Sequence, residues 1–175
     1  MSASVLIAYA TRSGSTGEVA QAIGAALHET GLDADVLPVG EVESLTGKTT
    51  VILGAPLYVG HFPREFCRFL SAHRSALASA RCWCFVLGPT RDEPADFEGA
   101  RKQAARQLLH YGWFHPVDVH IFGGRWSVQG VPFPFSLALH LPGNPLAKVP
   151  MSDIRDWSAI HDWTMGIACQ IAPAA

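Results

Sequence analysis

Short apolar runs alternate with amphipathic segments along this chain. Runs that are almost wholly apolar predict buried strands, and apolar residues three or four positions apart predict helices. The strands are predicted at Val5–Tyr9, Ala34–Val39, Thr49–Leu53, Cys82–Leu87 and Val117–Phe122. The helices are predicted at Thr16–Thr30, which ends at Gly31, and at Pro63–Leu77, Phe97–Tyr111 and Asp156–Ile171. This pattern predicts a single α/β domain with a five-stranded parallel sheet covered by helices on both faces.

Two stretches interrupt the alternation. Glu41–Leu45, between the second and third strands, is long enough for barely one helical turn. Arg125–Pro150 is too long for an ordinary connection, and it holds five prolines together with aromatic and leucine side chains. We expect this segment to form an apolar lid or a docking surface for a hydrophobic substrate, a membrane surface or a second subunit. The alternative is that it packs back on its own domain.

Composition narrows the class of protein. Of 175 residues, 49% are hydrophobic and 16% are charged, which suits one large core. The net charge of -2 gives no basic face for nucleic acid. No apolar run approaches the roughly 20 residues of a membrane-spanning helix, and no secretory signal precedes the first strand. These features predict a cytoplasmic protein.

The cysteines and histidines do not have the spacing of a metal site. The four cysteines are Cys67, Cys82, Cys84 and Cys169, and no second pair of cysteines or histidines follows at zinc-finger spacing. We therefore expect no metal, and we expect the cysteines to be buried, reduced thiols. Cys82 and Cys84 lie two apart in a strand and are predicted to point to the same face.

A hydroxyl-rich loop joins the first strand to the first helix. It consists of Thr11, Arg12, Ser13, Gly14, Ser15 and Thr16. At a helix N-terminus, unpaired N–H groups and the positive end of the dipole suit a phosphate, and hydroxyls can donate to its oxygens. The loop lacks both the P-loop lysine and the GxGxxG pattern, which favours the phosphate of flavin mononucleotide (FMN). The alternative is an ordinary turn in which a serine or threonine caps the helix.

Two further loops follow strands whose carboxyl ends lie at the same edge of a parallel sheet. One loop contains Ala55, Pro56, Leu57, Tyr58, Val59, Gly60 and His61, and the other contains Gly88, Pro89, Thr90, Arg91 and Asp92. Ligands of open α/β sheets bind at this edge. We expect the two loops to flank a flat ring, with Tyr58 as its aromatic contact, although Tyr58 can equally be a packing aromatic.

Several of these motifs resemble a known family. Ile7–Thr16, followed by Ala20 and Ile23, resembles the flavodoxin signature for FMN phosphate, although Ala8 stands where a larger residue is usual. The later matches are Leu53–Ala55, Tyr58, Gly60–His61, Gly123–Arg125 and Asp153–Trp157. They resemble the menaquinone-dependent protoporphyrinogen oxidases and the bacterial flavodoxin-domain proteins around them. The resemblance implies a three-layer flavodoxin-like sandwich with strand order 2-1-3-4-5 and FMN as cofactor.

The resemblance also implies a function. It indicates an FMN-dependent oxidoreductase that oxidises protoporphyrinogen IX with a quinone as acceptor. The family carries an insertion near its last strand for membrane or substrate contact, and Arg125–Pro150 occupies that place. Its only cations are Arg125 and Lys148, so a basic membrane-binding helix is not expected. The resemblance implies peripheral contact with the inner face of the membrane, whereas the apolar side chains of the segment suggest a homodimer formed through it.

Two rival functions follow from the same residues. A flavodoxin proper would carry electrons between redox partner proteins, but such carriers usually have a strongly acidic docking face, which the net charge of -2 does not favour. A domain that kept the fold and lost the cofactor would not need the hydroxyl-rich loop. No catalytic acid or base is assigned from the sequence.

Overall fold

The computed structural model describes residues 4–126 and 151–171. The prediction of a lid or docking surface at Arg125–Pro150 therefore lies outside the described residues, apart from Arg125 and Trp126. Within the described ranges, no helix is both long enough and apolar enough to cross a membrane.

One parallel sheet organises the chain. Its strands are β1 (Val5–Tyr9), β2 (Ala34–Pro38), β3 (Thr50–Pro56), β4 (Arg81–Leu87) and β5 (Asp118–Phe122). Their order is β2-β1-β3-β4-β5, and each neighbouring pair is parallel, which confirms the predicted fold. The helices are α1 (Ser15–Glu29), α2 (Arg64–Ala72), α3 (Arg74–Ser79), α4 (Pro94–Leu108) and α5 (Trp157–Ile171). A two-stranded antiparallel ribbon, β6 (Arg125–Trp126) with β7 (Ser152–Asp153), was not predicted.

Alternation of side chains along the strands creates two cores. Cys82, Cys84 and Val86 of β4 join the core under α2, α3 and α4. Trp83 and Phe85, with Leu87, join the core under α1 and α5. The sheet is therefore covered on both faces, and Cys82 and Cys84 share a face as predicted.

Burial determines the protonation state of Cys82 and Cys84. Loss of hydration raises the pKa of Cys82 to about 12, and burial also raises the pKa of Cys84 well above its ordinary value. Both are therefore neutral thiols, as the sequence predicted. The expectation was wrong for Cys169, which is exposed, and for Cys67, which is only half-buried.

Predicted boundaries were wrong at three places, one of which is the helix predicted at Phe97–Tyr111, which runs from Pro94 to Leu108. The single helix at Pro63–Leu77 divides at His73, which leaves the helical conformation while its ring packs against Phe69 at 4.5 Å. Strand β3 does not stop at Leu53 but continues to Pro56, in register with β4. Gly54 therefore does not end the strand. Glycine is required at this position by packing, because a Cβ would lie 2.1 Å from the Phe85 ring.

Gly54→Ala is expected to destabilise the protein by about 1–3 kcal/mol, because the Phe85 ring cannot move without disturbing the core. The free energy of unfolding in urea measures this effect. The matched control is Gly166→Ala, where a Cβ meets no atom within 4 Å in the interior of α5. That change is expected to stabilise the protein by up to about 1 kcal/mol. Equal effects of the two substitutions would contradict the packing argument.

Candidate functional site

The carboxyl ends of β1, β3 and β4 bring the three predicted loops together. The Ala10 N–H, just after β1, donates to the Gly54 carbonyl of β3 at 2.8 Å. The Leu57 N–H, just after β3, donates to the Leu87 carbonyl at the end of β4 at 2.8 Å. The three loops therefore lie side by side at one edge of the sheet, where ligands of this architecture bind.

The hydroxyl-rich loop is closed by its own hydrogen bonds. Gly14 precedes α1 with φ of 85°, a left-handed conformation that glycine adopts without strain, and its N–H donates to Thr11 Oγ1 at 3.0 Å. The hydroxyls of Ser13 and Ser15 lie 3.3 Å apart. No side chain of the described residues caps α1. The alternative, in which a serine or threonine side chain caps the helix, is therefore not observed.

Thr16 is the residue of this loop that lacks a partner. It is fully buried, and within residues 4–126 and 151–171 its Oγ1 atom has no hydrogen-bond partner. The backbone N–H groups of Ser15, Thr16 and Gly17 have no acceptor within the helix, because the first turn has none to offer. A buried unpaired polar atom costs about 1–3 kcal/mol. An anion at this helix N-terminus would satisfy both the hydroxyl and the N–H groups.

The loop after β3 turns sharply at its tip. Tyr58 and His61 exchange two backbone hydrogen bonds of 2.9 Å around Val59 and Gly60, whose φ angles are 48° and 78°. Positive φ at both central residues defines a type I′-like turn. Valine is strained in this conformation, and the Val59 side chain is 98% exposed. The Val59 backbone is therefore strained, and its apolar side chain lies in solvent at the tip of the loop.

A groove of about 460 Å³ separates this loop from the loop after β4. Leu57, Val59 and Gly60 line one side, Gly88, Pro89, Thr90 and Arg91 line the other, and the first half of α4 forms the floor. Tyr58 does not line the groove. The Arg12 guanidinium instead lies over the Tyr58 ring, 5.4 Å from its centroid, which links the hydroxyl-rich loop to the loop after β3.

The remaining predicted site residues differ in their access to this groove. Ala55 and Pro56 are buried in β3, and the Ala55 side chain belongs to the core. Pro89 is buried and its carbonyl accepts from the Gly124 N–H at 2.6 Å. Arg91 is held by Asp96 of α4 through two hydrogen bonds of 3.0 and 3.2 Å.

A short segment after the undescribed stretch joins two of these loops. We call it the strap, and it consists of residues 152–155. Ser152 Oγ donates to the Thr90 carbonyl of the loop after β4 at 2.8 Å. At the other end of the strap, Arg155 Nη1 donates to Glu18 in the first turn of α1 at 2.7 Å. The strap therefore connects α1 to the loop after β4.

Asp153 and Asp156 both stand just before the last helix, where aspartate is a favoured N-cap, so the sequence predicts that both cap this helix. The prediction is confirmed for Asp156, whose carboxylate accepts from the Ala159 N–H at 3.0 Å. It was wrong for Asp153, which accepts from Arg155 Nε and Nη2 at 2.8 and 2.6 Å. These hydrogen bonds lower the pKa of Asp153 and raise the pKa of Arg155. Sequence reasoning missed Arg155, because its partner Glu18 lies 137 positions away.

No cluster of three metal-ligating side chains occurs in the part of the chain that the structure describes. Two of the histidines have contacts of other kinds. His120 packs on Phe122 and Trp163, and burial lowers its pKa. His61 closes the turn after β3 through its backbone.

The order of the strands and the loops at their carboxyl ends define a doubly wound α/β protein of the flavodoxin class. The family model for the flavodoxin domain matches residues 6–133, and the chain belongs to that family.

The comparisons with individual proteins agree with this assignment. A curated relative, the protoporphyrinogen IX dehydrogenase [quinone] of Escherichia coli K12, is 24% identical, with 93% of each chain covered. A mutant flavodoxin from Pseudomonas aeruginosa superposes with a TM-score of 0.60 at 16% identity, covering 96% of this chain and 98% of that chain. Flavodoxin 2 from Bacillus cereus gives 0.58 at 20% identity, covering 97% and 98%. The structural matches show a shared fold.

The Asp153–Arg155 pair is expected to make stability depend on pH in the acid range. Because the folded state lowers the pKa of Asp153, the pair stabilises the protein above the unfolded pKa of about 3.9, and this stability is lost as the pH falls through the lower folded value. The difference in unfolding free energy between the unmodified protein and Asp153→Asn should therefore be constant near neutral pH and shrink below about pH 4. A difference that grows on acidification would contradict this assignment.

Proposed function

We propose that this chain is an FMN-dependent oxidoreductase whose cofactor phosphate binds at the N-terminus of α1. The observation that carries the proposal is the buried Thr16 hydroxyl without a partner among the described residues, at a helix start that no side chain caps. Membership of the flavodoxin domain family supports it.

The residues present suit each part of the cofactor. Thr16 and the N–H groups of Ser15 and Gly17 would hold the phosphate. The loops that border the groove would hold the ring, because they follow β3 and β4, the two strands after β1 in the sheet order, and leave a gap between them. When bound, a flavin supplies hydride and electron chemistry that side chains lack. The chain's own task is to orient the ring, to exclude water and to supply hydrogen-bond donors that set its reactivity.

For the substrate, we propose a porphyrinogen that is oxidised while a quinone is reduced to the quinol. The support is the curated relative, whose printed name gives both compounds and whose similarity covers 93% of each chain. The groove of about 460 Å³ and the exposed Val59 at its rim give an apolar compound a place to contact beside the ring loops.

A second candidate is a flavodoxin-type carrier that passes electrons between redox partner proteins. The specific observation in its favour is that the solved structures of two flavodoxins match nearly the whole chain. A carrier needs a reductase and an acceptor protein, whereas an enzyme needs only its small substrates. The two candidates therefore differ in what reduces the bound flavin.

Thr16→Val tests the phosphate site, because it removes the hydroxyl and keeps the shape. FMN binding is expected to weaken by about 1.5–3 kcal/mol, the value of a hydrogen bond to a charged group. The cofactor-free protein should be as stable as before or more stable, since an unpaired buried group is lost. Fluorescence titration with FMN and urea unfolding without it measure the two effects.

Thr164→Val is the matched control for this test. Thr164 is also fully buried, but its Oγ1 donates to the Ile160 carbonyl at 2.8 Å. Its replacement should leave FMN affinity unchanged. Unaltered FMN affinity in Thr16→Val, or an equal loss in both variants, would refute the phosphate assignment.

Anaerobic mixing of the FMN-loaded protein with protoporphyrinogen IX separates the enzyme from the carrier. The enzyme is expected to lose its flavin absorbance on mixing and to regain it when a quinone is added, with repeated turnover when both compounds are in excess. A flavodoxin loaded with FMN is the control. If protoporphyrinogen IX reduces neither protein while a flavodoxin reductase reduces both, the carrier function is supported and the porphyrinogen proposal is wrong.

A further inference from the structure

Glu18 creates an electrostatic problem at the proposed phosphate site. It lies in the first turn of α1, whose N-terminus would hold the phosphate. A carboxylate in this turn interacts favourably with the helix dipole when no anion is bound. The same carboxylate repels a phosphate dianion that binds there, and the repulsion is strong where water is excluded.

The hydroxyl-rich loop contributes no cation to Glu18. It contains no lysine, and its one arginine, Arg12, is exposed and stacked over Tyr58. The cations that contact Glu18 come from the other end of the chain. Arg125 of β6 donates to its carboxylate at 3.0 Å, and Arg155 of the strap donates at 2.7 Å.

Arg155 is the better placed of the two arginines. Its side chain is 3% exposed, whereas that of Arg125 is 35% exposed. Besides Glu18, its Nη1 lies 3.4 Å from the carbonyl oxygen of Ser15, the first residue of α1. The guanidinium lies over the Trp157 ring at 4.7 Å, and Asp153 binds its other edge. These contacts fix the guanidinium against the first turn of the helix.

We propose that Arg155 is a positioning residue for the cofactor phosphate. Its guanidinium neutralises Glu18 and holds the first turn of α1, so that the helix N-terminus accepts a dianion. This inference rests on the proposed function. It differs from a role in general folding, because it predicts an effect that depends on the phosphate of the ligand. Arginine suits the role better than lysine, since its planar group donates to Glu18, Ser15 and Asp153 at once.

The test compares FMN with riboflavin, which has the same ring and no phosphate. In Arg155→Met, the dissociation constant for FMN is expected to rise about tenfold, the size expected when one partly buried charge is left less neutralised. The dissociation constant for riboflavin should change by less than about twofold. Fluorescence titration of both flavins against the same protein preparation measures the two constants.

Glu18→Gln gives a prediction of the opposite sign. Removal of the carboxylate frees Arg125 from its ion pair and leaves Arg155 paired with Asp153 alone, so FMN should bind more tightly while riboflavin affinity stays the same. In the double variant Glu18→Gln with Arg155→Met, the FMN affinity should return to near that of the unmodified protein. Glu18 is on the protein surface, so this arm remains informative even if Arg155→Met does not fold.

Arg81→Met is the matched control. Arg81 also stacks on a tryptophan, Trp83, at 5.0 Å, and donates to a backbone carbonyl, that of Gln170, at 2.8 Å. It begins β4 and therefore lies at the opposite edge of the sheet from the loops. Its replacement removes the same charge and should leave the ratio of the two flavin affinities unchanged.

The outcomes separate this inference from the function on which it rests. FMN selectivity that falls in Arg155→Met and rises in Glu18→Gln supports the inference. Equal weakening of FMN and riboflavin in Arg155→Met, or weaker FMN binding in Glu18→Gln, overturns it while FMN binding by the unmodified protein stands. If the unmodified protein binds no FMN, the proposed function is wrong and the inference falls with it.

Discussion

The first turn of α1 leaves backbone N–H groups without a helical acceptor and buries a threonine hydroxyl, Thr16, that has no partner in the described part of the chain. Such groups are stable inside a protein only if something else compensates for them. In this structure the position is fixed from both sides. The parallel pairing of β1 with β2 and β3 places the turn at the sheet edge, and the packing of α1 against α5 holds it there.

The rest of the site depends on that fixed turn. The loops after β3 and β4 lie beside it because their strands follow β1 in the sheet order. The strap joins the two regions, with Ser152 bound to the loop after β4 and Arg155 bound to α1. Gly123 permits this arrangement, because a Cβ there would lie 2.2 Å from the Ile154 carbonyl oxygen. The strap therefore contacts both α1 and the loop after β4.

Local patterns were sufficient to predict the sheet and most of its helices. Apolar runs marked the strands, and Gly31 marked the end of α1, where the Leu32 N–H bonds the Leu27 carbonyl as in a Schellman turn. The same reasoning ended β3 too early, because it treated Gly54 as a stop when the Phe85 ring is what requires a glycine. The sequence also predicted that the three loops lie together, because the carboxyl ends of parallel strands meet at the same edge of a sheet.

Contacts between distant parts of the chain were not predictable in the same way. The pairing of Arg155 with Glu18, and of Arg12 with Tyr58, leaves no periodic signal in the sequence. Asp153 resembles a helix cap in sequence, yet its carboxylate binds Arg155, two residues further on. These side chains carry the charges next to the candidate site. Their pairing could therefore be read only from the three-dimensional structure.

The most direct test of the account is a crystal structure of the protein with FMN bound. The account predicts phosphate oxygens within hydrogen-bond distance of Thr16 Oγ1 and of the N–H groups at the start of α1, with the ring between the loops after β3 and β4. Arg155 should remain bound to Glu18 in that complex. A phosphate bound elsewhere, with the Thr16 hydroxyl still unpaired, would contradict the central claim.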